Sequence, residues 1–154
     1  MKLHSAWLAS AMLFAALLAC NMAKNGNSND QTAASKSNPD VKVIGTFTNR
    51  RHVVNKYILV EKGVSNDKLI ELATRLHHAE PKANFWFMDD DSRSAEMLKW
   101  VQAYEKGEAT LSDPISDWIS DHTVANVQEY FGEGGTRYWA VAKGMMGDRI
   151  AKIE

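Results

Sequence analysis

Ala83-Asn84-Phe85-Trp86-Phe87-Met88 is the most apolar strand candidate in the chain, and it runs directly into Asp89-Asp90-Asp91. Side chains alternate across a strand, so Phe85 and Phe87 point one way and Trp86 and Met88 the other. A strand that is apolar on both sides belongs in the middle of a sheet, covered above and below. The three carboxylates then stand at the carboxyl edge of a central strand, where open α/β sheets place their sites.

Upstream, Val41, Val43, Gly45 and Phe47 alternate with Lys42, Ile44, Thr46 and Thr48, a period of two. After the polar break Asn49-Arg50-Arg51-His52, Val53 to Val60 reads as a second strand, with Val53, Tyr57 and Leu59 on one side. The short spacing predicts an antiparallel hairpin. Ser65 is a good N-cap for a helix running to about Ala79, before Pro81. Leu69, Ile70, Leu72, Ala73 and Leu76 share its inner stripe, and Glu71 and Arg75 pair outside.

Downstream, a helix from about Ser92 to Lys106 carries Met97, Leu98, Trp100, Val101 and Tyr104 on one stripe and stops at Gly107. Asp113-Pro114 opens a short helix with Ile115, Trp118 and Ile119 facing inward. Thr123 to Phe131 and Thr136 to Ala142 are two strands joined by Gly132-Glu133-Gly134-Gly135. A phosphate-cradling loop needs a helix directly behind it, and here a strand follows, so this loop reads as a turn. Gly144-Met145-Met146-Gly147 breaks the chain again before a short final edge strand over Asp148 to Ile153. The order predicts an α+β fold: a mixed, mainly antiparallel sheet of about five strands, with two to three helices packed chiefly on one face.

Three groups of residues are candidates for chemistry. Asp89, Asp90 and Asp91 offer oxygen ligands to a hard cation; Asp91 or Ser92 equally suits the cap of the next helix. Asp89, Asp90 and His122 would serve a cation-dependent hydrolase if they met in one pocket. His122 also suits a helix C-terminus, where a protonated ring favours the dipole. His77 and His78 are adjacent on a helix and face different ways, so a shared metal is not expected. Arg50, Arg51, His52 and Lys56 read as a solvated basic turn. No nucleophile elbow, paired-cysteine zinc pattern, His-Glu-x-x-His or P-loop is present. With 18 basic and 19 acidic residues, the net charge of −1 excludes the strong basic surplus of a nucleic-acid binder. Trp86, Trp100, Trp118 and Trp139 are expected at the core or its edge.

The N-terminus addresses the chain. Lys2 precedes an uncharged run of 14 residues, Ala6 to Ala19, shorter than the roughly 20 residues a spanning helix needs. Cys20 is the only cysteine, so no intramolecular disulfide exists. Leu17-Leu18-Ala19-Cys20 resembles the lipobox of bacterial lipoprotein precursors. That resemblance implies a signal peptide over residues 1–19, cleavage before Cys20, and a diacylglyceryl thioether on its sulfur. A further acyl chain on the new N-terminus would follow. One chain anchors marginally, at about 0.8 kcal/mol per buried CH₂, whereas two or more hold firmly. Asn21, rather than Asp, implies the outer membrane where the host has one. Residues 20–40 are rich in Asn and Ser and read as a disordered polar tether, reaching about 25 Å. Residues 41–154 are left as one globular domain. The covalent lipid on Cys20 is the only non-protein group expected. The membrane and an envelope protein or ligand are the expected partners, with a binding role ahead of the hydrolase.

Overall fold

A computed structural model describes residues 41–154. The expected signal peptide, Cys20 and tether lie outside the described residues.

Strands β1 (Lys42–Thr48) and β2 (Val54–Leu59) form where the sequence alternates, and they pair antiparallel. Asn49 holds their turn: its Oδ1 accepts from the amides of Arg51 and Val53, both at 3.0 Å. Helix α1 (Asn66–Ala79) starts at Ser65, whose Oγ accepts from the Lys68 amide at 3.3 Å. This helix is the crossover that lets β3 (Asn84–Met88) lie parallel to β2. Helices α2 (Ser94–Lys106) and α3 (Pro114–His122) follow, and β4 (Thr123–Phe131) returns antiparallel to β3. Strands β5 (Arg137–Lys143) and β6 (Arg149–Ile153) complete the sheet.

The sheet is six-stranded, ordered β1 to β6 as in the chain, and β2–β3 is its one parallel pair. It has six strands against an expected count of about five, because the final edge strand, β6, pairs in full along Trp139–Ala142. The double-sided apolarity of β3 is used on both sides. Phe85 and Phe87 join Ile58, Val127 and Val141 beneath Leu69, Ala73 and Leu76 of α1. On the other face Tyr57 and Met88 meet Met97 and Trp100 of α2 and Ile115 and Ile119 of α3. Two of the three helices therefore share one face, and α1 covers the other. Each large apolar side chain buried there contributes about 1.5–3 kcal/mol.

Helix α2 begins two residues later than expected. Asp90 Oδ1 accepts the Ser92 amide at 2.7 Å, which holds residues 90–92 in a turn. Neither Asp91 nor Ser92 caps the helix: the N-cap position is Arg93, which makes no side-chain cap bond. Asp91 is drawn instead to Lys42 Nζ on β1.

Candidate functional site

The carboxyl end of β3 gathers three of the singled-out residues. Asp89 follows Met88, and its amide donates to the carbonyl of His122 at 3.1 Å, tying the end of β3 to the end of α3. His122 Nδ1 lies 2.8 Å from Asp89 Oδ1, while Nε2 is 3.8 Å from Asp90 Oδ2. The second distance is outside hydrogen-bond range. Trp118, one turn earlier on α3, packs its ring 5.1 Å from the imidazole. The Ser92 amide and hydroxyl hold the Asp90 carboxyl below the usual carboxylate range, with a smaller pull from His122. Nδ1 is the ring nitrogen engaged by Asp89, and Nε2 is the one left outside hydrogen-bond range of a carboxylate. Asp91 stands apart on Lys42. Among the described residues, no group of three or more His, Cys, Asp or Glu side chains is arranged to hold a metal ion.

The opposite end of β3, about 15 Å away at ~3.3 Å per residue, carries a larger and differently built feature. Two clefts meet at Asn49, Asn84 and Gln128: a groove of about 250 Å³ between the sheet and α2, and a larger cleft of about 710 Å³ on the Trp139 side of the sheet. Asn55 organises the wall of the groove. This side chain is buried, 7 % exposed. Its Oδ1 accepts from Asn84 Nδ2 at 3.1 Å and from Trp86 Nε1 at 3.2 Å, and its Nδ2 donates to the Val53 carbonyl at 3.2 Å. The half-buried Trp86 indole is thus pinned at its nitrogen and stacked on Tyr57, with centroids 6.3 Å apart. Burial pushes the Tyr57 hydroxyl up to about 12, with help from Glu105, so this ring stays neutral.

Gln128 Nε2 donates to the Tyr130 hydroxyl at 3.1 Å, and that hydroxyl donates to Asn126 Oδ1 at 2.9 Å. The amide oxygens of Asn84 and Gln128 keep no protein partner among the described residues. Tyr104 and Glu105 of α2 line the groove. Arg51, Lys82 and Arg137 line the larger cleft. The one carboxylate among that cleft's lining residues, Glu129, is taken by Arg137 at 3.2 Å.

Compared with models of known protein families, with curated proteins and with solved structures, the chain matches none.

The expected site was placed by the rule for open parallel sheets, and only β2 and β3 are parallel here. The groove lies at the other edge, where β3 begins, and its polar wall was missed in the sequence. One signal was available: Asn55 interrupts the face of Val53, Tyr57 and Leu59, a polar residue in an apolar row. Arg51, read as part of a solvated turn, is exposed and also lines the larger cleft. Of the four tryptophans among the described residues, Trp100 is buried, while Trp86, Trp118 and Trp139 are half-buried. His77 and His78 diverge as expected: His77 is buried against Trp139, and His78 Nε2 lies 3.0 Å from the Glu154 carbonyl.

Proposed function

We propose that this protein is a lipid-anchored envelope lipoprotein whose folded domain binds a ligand in the groove at the start of β3. The observation that carries the binding role is Asn55, which holds the Trp86 indole and Asn84 in place through two hydrogen bonds and is itself fixed by a third to the Val53 carbonyl. A wall fixed before any ligand arrives loses little entropy on binding. Rings with a few convergent polar groups are the usual make-up of a small-ligand site. The anchoring half rests on the resemblance at Leu17-Leu18-Ala19-Cys20, outside the described residues.

The test is co-sedimentation of the detergent-solubilised full chain with washed envelope material. Asn84→Ala combined with Gln128→Ala should weaken retention by about thirtyfold, at roughly 1 kcal/mol per hydrogen bond lost, measured below the melting temperature of the variant, which the loss of its bonds to Asn55 and Tyr130 lowers. Retention equal to wild type would remove the groove from the proposal.

One observation favours the alternative, a cation-dependent hydrolase: Asp89 and His122 meet at 2.8 Å. Melting the protein with and without Ca²⁺, Mg²⁺ or Mn²⁺ distinguishes the two readings. A stabilising shift that disappears in Asp89→Asn would favour the hydrolase, and no shift counts against it.

A further inference from the structure

We infer that the larger cleft, on the Trp139 side of the sheet, takes a small organic dianion with an apolar body. This is a second site, and it stands independently of the ring-lined groove beside α2. Strand order assembles it from segments far apart in the chain. Arg51 leads into β2, Lys82 leads into β3 and Arg137 opens β5, and those three strand starts lie at one end of the sheet. The cleft they line measures about 710 Å³, within the range of about 300–1,000 Å³ for small-ligand sites.

Charge sets the class of ligand. Three cations line this cleft against one carboxylate, Glu129, which leaves two positive charges unmatched. Arg137 holds Glu129 at 3.2 Å and lies over the Phe131 ring at 5.1 Å, so its guanidinium is already oriented. The side chains of Arg51 and Lys82 have neither an ion pair nor a hydrogen bond among the described residues. Glu80, two residues before Lys82, is held by Lys56 instead. A guanidinium fork pairs with carboxylate or phosphate, so one phosphate monoester or two carboxylates would match the charge. Rings set the body of the ligand. Phe131, 67 % exposed, and the half-buried Trp139 give the same cleft an apolar wall. An inorganic anion would use the cations and leave these rings bare, whereas an apolar body covers them. A nucleic acid would need many phosphate contacts, and the chain's charge is −1.

The test titrates the detergent-solubilised full chain calorimetrically at about pH 8 and low salt, where both organic acids used carry two charges. The probes are phenyl phosphate, phthalate, inorganic phosphate and the neutral benzyl alcohol. The tighter of phenyl phosphate and phthalate identifies the acid group, and it should bind about tenfold more tightly than inorganic phosphate, a difference near 1.4 kcal/mol. Arg51→Ala with Lys82→Ala should weaken that acid by about tenfold. Phe131→Ala should bring it down to the level of inorganic phosphate. All three side chains are exposed, so the melting temperature should hold in these variants. Tyr104→Ala, in the groove on the other face, should leave the affinity unchanged. Inorganic phosphate binding as tightly as either organic acid would reduce the cleft to a charge trap and overturn the apolar body. Benzyl alcohol binding as tightly would overturn the acid. Affinity that survives the loss of Arg51 and Lys82, or that depends on Tyr104, would place the site elsewhere. If neither organic acid binds, the inference fails, while envelope sedimentation still decides the ring-lined groove by itself.

Discussion

His77 packs its ring 4.6 Å from Trp139, and its buried Nδ1 has no hydrogen-bond partner. Burial lowers its pKa from the ordinary 6.5, and the neighbouring His78 adds to the effect. The folded state therefore holds the ring neutral, while the unfolded chain binds a proton as pH drops past 6.5. Stability contributed by this group is present above 6.5 and is lost as pH falls toward the lowered native value. His77→Phe keeps a ring against Trp139 and removes the orphan nitrogen. It should raise stability by about 1 kcal/mol and flatten the difference between urea midpoints measured near pH 5 and pH 8. An unchanged pH slope would clear His77 of the effect. Asn55 is the opposite case, a buried polar group whose bonds are made. Asn55→Leu strands the Trp86 Nε1–H and the Asn84 amide, each costing about 1–3 kcal/mol. Urea denaturation should register the loss, and weaker groove binding should accompany it.

At the scale of elements, the turn between β5 and β6 is held by backbone proximity. The Gly147 amide donates to the Lys143 carbonyl at 2.8 Å, and a Cβ on Gly147 would lie 2.2 Å from that oxygen. A backbone carbonyl cannot rotate aside as a side chain does. Gly147→Ala should cost about 1–3 kcal/mol, and the loss should appear first as faster amide exchange over Arg149–Ile153. Protection unchanged there would mean the turn absorbs the methyl. The elements themselves were largely legible. Alternation marked β1 and β2, and the glycine-rich turn marked β4 and β5; Ser65 marked the start of α1 and Gly107 the end of α2. The start of α2 was not legible, because it depends on which of three aspartates turns back on the chain. Asp90 does so, and Lys42, 49 residues earlier, draws Asp91 away.

For the whole molecule, the anchor carries one half of the function we propose. Cys20→Ala should abolish lipid labelling and leave an uncleaved precursor. Its melting temperature should match that of wild type, because the core is assembled within residues 41–154. Persistent labelling would remove the lipoprotein assignment. Among the described residues no helix is long and apolar enough to cross a membrane. The two candidate sites lie at opposite ends of β3, and the variants above therefore separate them.

Local sequence alone determined the strands, the first helix with its cap, and the central strand apolar on both faces. A period of two says which way each side chain points, and that is a property of the chain itself. Which side chains meet is a matter of strand neighbours and register, and only the tertiary structure decided it. Asp89 reaches His122 because the end of α3 comes back beside the end of β3 before β4 runs antiparallel. Asn55, Asn84 and Gln128 come from three strands, and they share one wall because the parallel β2–β3 pair sets Asn55 against Asn84 with β4 alongside. No single segment carries that information, since each residue becomes part of a site only through partners 29 or more positions away.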